Sequence, residues 1–198
     1  MKEIANMKTS RMEAFSDGVL AIIITIMVLE LKVPHETDWA SLRPIIPVFG
    51  SYVLSFIYVG IYWNNHHHLL HVTENVNGKA LWANLHLLFW LSLIPFASGW
   101  LGENQLAAIP TALYGVVLLM AGVAWKILQT ELVSCANKNI SLKNAIGKDL
   151  KGWLSLGLYA IGIALAFPLP WAALALYVAV AVIWFIPDRR LENAMNVD

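Results

Sequence analysis

Six apolar runs, at residues 11–31, 44–70, 80–100, 107–129, 152–168 and 170–186, follow one another through a chain of 198 residues. About 20 apolar residues cross a hydrocarbon core of roughly 30 Å as a helix. Lipid offers backbone N–H and C=O groups no partner, so such runs are driven into helices. The sequence therefore predicts an all-α, integral membrane six-helix bundle, one unit over residues 1–198 with no separate soluble domain. Composition agrees: 59% of residues are hydrophobic and 13% charged, against roughly 45–50% and about 25% in soluble domains. The surplus has to face lipid. The last two runs are the shortest, joined by the turn Phe167-Pro168-Leu169-Pro170. Pro44 and Pro47 fall in a first turn, where a missing N–H costs little, and Pro95 predicts a kink near the end of the third span.

The formal net charge is zero, which leaves no electrostatic footprint for nucleic acid. A single cysteine, Cys135, allows no internal disulfide. The opening MKEIANMKTSRMEAFSDG is polar for too long to be a signal peptide, so the first run is expected to stay in the mature protein. Several of the nine tryptophans (Trp39, Trp63, Trp100, Trp153, Trp171, Trp184) stand at the ends of apolar runs, where indole satisfies both its ring and its N–H. Of the 13 lysines and arginines, only Lys32 and Arg43 fall on one side of the six spans. Lys2, Lys8, Arg11, Lys79, Lys126, Lys138, Lys143, Lys148, Lys151, Arg189 and Arg190 fall on the other. The positive-inside rule then places both termini in the cytoplasm, and the cell (inner) membrane is the expected location.

The first span carries the most information. Ser10 and Glu13 form a capping-box pattern, and Arg11, Glu13 and Asp17 enter an otherwise apolar stretch. Asp17 lies roughly 10 Å in by helical rise, a depth at which a charge needs a partner. Arg11 and Asp17 point about 120° apart on a helix, so their partners are expected on other helices. Arg11, Gly18, Thr25 and Lys32 recur every seventh residue, with Phe15, Ile22 and Leu29 beside them. That seam has the geometry of helices gathered on a shared axis, and Gly18, Ala21 and Thr25 would let backbones approach. Periodicity leaves two readings open: packing against a helix of the same chain, or a pore lined by this helix from several subunits.

The second span ends in Trp63-Asn64-Asn65-His66-His67-His68, with His71 one turn on, and the third opens with Asn84 and His86. In the orientation above these residues share a leaflet with Arg11 and Asp17. They are expected to satisfy one another as a polar network stapling the first three helices. His67 and His71 share a helical face but have no evident carboxylate or cysteine companion, so no metal site is expected. Histidine titrates near neutral pH, which keeps a proton relay open. His-Glu-x-x-His and Gly-x-Ser-x-Gly are both absent, and neither an enzyme nor a cofactor is expected.

Arg11-Met12-Glu13-Ala14-Phe15-Ser16-Asp17 resembles the Arg-x-x-x-Phe-Ser-Asp signature of the lysosomal potassium channel family, transmembrane protein 175, and its bacterial homologues. Trp63-x-x-His66, Asn84 and Ile94-Pro95-Phe96 are similar to landmarks of the bacterial members. The resemblance implies a homotetramer of six-span subunits in the bilayer, a pore lined by each first helix, and a potassium-selective leak with permeant potassium ions in place of a cofactor. It implies a constriction of bulky aliphatic side chains at Ile22, then Thr25 and Ile26, then Leu29, with Thr25 contributing to selectivity. It implies an inter-helix network of Arg11, Phe15, Ser16, Asp17, Trp63 and Asn84 with a histidine of the second helix, His66 or His67. No Thr-Val-Gly-Tyr-Gly-like loop occurs for a carbonyl filter, whereas an apolar neck can gate by shedding water. The rival expectation is a proton-conducting or proton-coupled transporter using the same polar group.

Overall fold

Every apolar run forms helix in the computed structural model, which describes residues 7–71, 73, 75–135 and 149–185. The first helix, α1, spans Thr9–Leu29. A 3-10 helix, Trp39–Ile45, leads into α2, Ile46–His71. The third run is divided into α3, Gly78–Ser92, and α4, Ile94–Glu103. Then come α5, Ala108–Cys135, α6, Leu150–Leu165, and α7, Pro170–Phe185. Of the residues used to orient the chain, Lys2, Lys138, Lys143, Lys148, Arg189 and Arg190 lie outside the described residues.

Three local features depart from the sequence reading, each for a physical reason. The N-cap of α1 is Lys8 rather than Ser10, and no side chain caps the helix. Met7–Lys8 (β1) pairs antiparallel with Asn75–Val76 (β2), Met7 opposite Val76 and Lys8 opposite Asn75. This short ladder holds the residues before α1 extended and ties them to the α2–α3 connection, so the expected capping box does not form. Second, α5 runs past residue 129 into the polar stretch, because Leu128 and Leu132 continue the buried stripe of Ala121, Ala124 and Trp125. Third, the kink expected at Pro95 becomes a break at Leu93, with Pro95 in the opening turn of α4.

Four helical segments among the described residues are long and apolar enough to cross a membrane: Thr9–Leu29, Trp39–His71, Gly78–Glu103 and Ala108–Cys135. Helices α6 and α7 have 16 residues each, or about 24 Å of rise.

Helix α5 is the spine of the core, contacting α3 and α4 on one side and α6 and α7 on the other. Tyrosines bind the helices behind it. The Tyr58 hydroxyl donates to the Tyr177 carbonyl at 2.6 Å, and the Ser55 and Tyr114 hydroxyls lie 2.9 Å apart. Among the described residues no buried side-chain nitrogen or oxygen lacks a partner, which a bundle in lipid requires more strictly than one in water.

Close approach between helices depends on glycine, as two positions illustrate. A Cβ on Gly115 would stand 2.0 Å from the Tyr177 hydroxyl oxygen. One on Gly102 would meet the Val48 Cα at 2.5 Å and the Ser51 Oγ at 2.6 Å. Val48 offers backbone there, which cannot swing aside. Gly102→Ala is expected to pry α4 from α2 and lower stability by about 1–3 kcal/mol, the usual cost of overpacking. Thermal unfolding in detergent at the wild-type midpoint would refute this.

Candidate functional site

Helix α1 has two unlike sides. Met12, Ser16, Leu20, Ile23 and Met27, spaced by three and four, are buried against the rest of the subunit. The opposite side is bare: Phe15 is 54% exposed, Ile22 58%, Ile26 43% and Leu29 78%. Arg11, Gly18, Ala21 and Thr25 are exposed with them. The Thr25 hydroxyl donates to the Ile22 carbonyl at 2.9 Å, so its outward lone pairs are its only free polar capacity. Ile26 stands at the edge of this face, beside Pro95 and Phe96. The seven-residue seam therefore does not pack within the subunit.

The other side is held by polar side chains from α2 and α3. Asn84, on α3, is the hub. Its Nδ2 donates to Ser16 Oγ at 2.9 Å, and its Oδ1 lies 2.8 Å from His66 Nε2. With the amide so oriented, His66 carries its proton on Nε2. Ser16 in turn donates to the Met12 carbonyl at 2.7 Å. Ser16, His66 and Asn84 are all buried.

A second layer lies nearer the surface. Trp63 Nε1 donates to Asp17 Oδ1 at 3.1 Å, and His67 Nδ1 lies 2.9 Å from Glu13 Oε1. The Trp63 and His67 rings stack with centroids 6.2 Å apart, and His71 stacks beyond His67 at 6.1 Å. Adjacent histidines of α2 thus serve different partners, His66 on α3 and His67 on α1.

Several candidates lie outside these bonds. Among the described residues Arg11 makes no hydrogen bond or ion pair and Phe15 no ring contact. His86 accepts from Trp90 of its own helix at 3.0 Å. Asn65 donates to the Ile61 carbonyl at 2.8 Å. Among the described residues no three of His, Cys, Asp or Glu are gathered as metal ligands. The sequence reading missed the Glu13–His67 pair because it assigned Glu13 to the helix cap. The available signal was the carboxylate one turn from Asp17 on the same flank of α1.

A family model described as endosomal/lysosomal potassium channel TMEM175 matches residues 11–95, the span of these contacts. A potassium channel of Chryseobacterium sp. (strain P1-3) is 54% identical over 190 residues, covering 96% of this chain and 99% of that protein. The chain belongs to the TMEM175 family. Its fold matches the crystal structure of a lysosomal potassium-selective channel TMEM175 homolog from Chamaesiphon minutus, with TM-score 0.77 and 26% identity over 91% of this chain and 97% of that one. The human endosomal/lysosomal proton channel TMEM175 is 38% identical over 92 residues, 40% of this chain but 18% of that protein. The part this TMEM175-family chain shares with the animal protein is therefore a small fraction of the latter.

Proposed function

We propose that the protein is a potassium-selective leak channel of the cell (inner) membrane, built from four copies around a central pore. Each copy acts as one six-helix unit over residues 1–198 and turns its first helix to the axis. Ile22, Thr25, Ile26 and Leu29 form the constriction, with both termini in the cytoplasm. The observation that carries this reading is the bare side of α1. Its Phe15–Ile22–Leu29 stripe points away from the subunit core, while the polar contacts of Ser16, Asp17 and Glu13 fix the helix from behind. A ring of such stripes makes an apolar neck that ions cross only by shedding water, and potassium sheds water at lower cost than sodium. Potassium channels among the relatives support the reading.

The deciding experiment reconstitutes purified protein in planar bilayers under a potassium–sodium gradient. Linear currents reversing near the potassium equilibrium potential are expected; no current, or equal permeability to both ions, would reject the proposal. One finding favours a second reading, proton conduction. The animal relatives are proton channels by name, and the His67–Glu13 pair joins α2 to the proposed pore helix. Currents that follow an imposed pH gradient at constant potassium would select it.

The bond to Asp17 also sets an assembly prediction. Asp17→Ala leaves the Trp63 indole without its acceptor, and Arg11→Ala removes an exposed charge whose partner would have to come from a neighbouring subunit. Both variants are expected to lose tetramer, since an unpaired polar group becomes costly once a neighbouring subunit buries it. Native mass measurement in detergent checks this, and intact tetramers for both would count against it.

A further inference from the structure

Helix α1 has two flanks as well as two sides, and they are dissimilar. On one flank runs α2, whose exposed residues Ile46, Phe49, Val53, Phe56, Trp63 and His67 recur at helical spacing as a continuous stripe. On the other flank α1 and the α3–α4 break enclose a cleft lined by Val19, Ile22, Ile26, Ser92, Pro95 and Phe96. A closed ring joins unlike surfaces head to tail, so two unlike flanks on either side of the axis-facing side are what a ring needs.

We infer, on the tetrameric reading above, that the α2 stripe of each subunit seats in the α1–α4 cleft of the next, directly behind Ile22 and Ile26. Charge at the outer end fits this contact. Glu30 caps the cleft, lying against Gly99 of α4, and Arg43 stands just before α2. Both are exposed, and among the described residues neither takes part in an ion pair. Lys32 is bonded to Glu103, whose hydrogen bond and charge raise its pKa above the usual lysine value; Glu30 acts on it only through space, as the weakest contribution.

Depths agree too. Glu30 and the residues after Arg43 (Pro44, Ile45) line one outer crevice, so the two charges lie at the same end of the subunit. Phe49 lies about 10 Å below Arg43, and Ile22 about 12 Å below Glu30, by 3-10 and α-helical rise. Val53 and Val19 each lie about 16 Å down on the same measure.

Glycine adds a separate argument. A Cβ at Gly50 or Gly60, both beside the α2 stripe, would meet nothing within 4 Å in the subunit, and the same holds for Gly18 on α1. Each costs helix stability, about 1 kcal/mol relative to alanine, with no close contact inside the subunit in return. Glycines on exposed membrane faces allow a neighbouring helix backbone to come near. Lipid chains need no such room.

The test uses cysteine pairs in the Cys135→Ser protein, oxidised in membranes and run without reductant. Val19→Cys with Val53→Cys, both about 16 Å down and neither in the proposed constriction, is expected to give a ladder up to tetramer, while each single variant stays monomeric. Leu29→Cys alone is the control for the axis, where identical residues meet and dimers form. A Leu29 dimer with no Val19–Val53 ladder overturns this inference and leaves the pore reading standing. Absence of both products overturns both. A second arm reads charge: Glu30→Arg and Arg43→Glu should each reduce the tetramer fraction severalfold, and the double exchange should restore it. Failure of the double exchange to restore tetramer argues against the Glu30–Arg43 contact. Gly50→Leu should dissociate the tetramer while leaving the subunit folded by circular dichroism; an undisturbed tetramer there counts against the seat.

Discussion

Ile22→Asn is expected to raise unitary potassium conductance about fivefold and to pull the reversal potential toward zero in a potassium–sodium gradient. The side chain is 58% exposed on the bare side of α1 and makes no polar contact that the change would break. Stability should therefore hardly move. On the proposed axis, four isoleucines form an apolar neck whose barrier is the hydration that a passing ion gives up. Each asparagine offers a carbonyl and an amide to the ion's remaining water, and a hydrogen bond nets about 1 kcal/mol. Lowering a barrier by that amount is worth about fivefold in rate. Discrimination falls for the same reason, since it rests on the difference in dehydration cost between sodium and potassium. Single-channel recording with measured reversal potentials decides the matter. Wild-type conductance with unchanged selectivity would mean that Ile22 does not face the ion path.

Much of this arrangement was legible because lipid removes alternatives. Apolar runs of about 20 residues in that solvent are helices, and six were readable from hydropathy alone. Ser16, His66 and Asn84 meet because buried polar side chains have no use for lipid, although polarity alone left His66 and His67 as alternatives and Ser16 entered only with the family signature. What hydropathy does not encode is geometry across the chain. Lys8 caps α1 because residues 75 and 76 pair with 7 and 8, a contact between segments that share no pattern. The extension of α5 was hidden by the polar residues Gln129, Thr130 and Glu131, although Leu128 and Leu132 beneath them are fully buried. Which histidine serves which helix depends on rotation about α2. One residue step is about 100°, enough to send His66 to Asn84 and His67 to Glu13.

Replacing Asn84 by leucine should cost about 2 kcal/mol, because the change strands a buried donor whose hydrogen-bond partner is Asn84. His66 is 2% exposed, and its Nε2 has the Asn84 carbonyl oxygen as its partner. Ser16 suffers less, since its hydroxyl still donates to the Met12 carbonyl. Interhelical hydrogen bonds in membrane proteins average only about 0.6 kcal/mol when the separated helices find other partners. Here the cost is larger, because the orphaned imidazole stays inside a folded bundle where α1, α2 and α3 close around it. A double-mutant cycle isolates the point. Asn84→Leu with His66→Leu removes both partners together and should recover most of the loss. Additive costs in detergent melts would show that the two side chains do not act as a pair. The same variants separate fold from conduction. If the hub sets the rotation of α1, Asn84→Leu channels that still assemble should leak sodium, because Ile22 and Thr25 no longer hold their angle to the axis. If the hub only binds helices together, the channels that still assemble should conduct with wild-type selectivity.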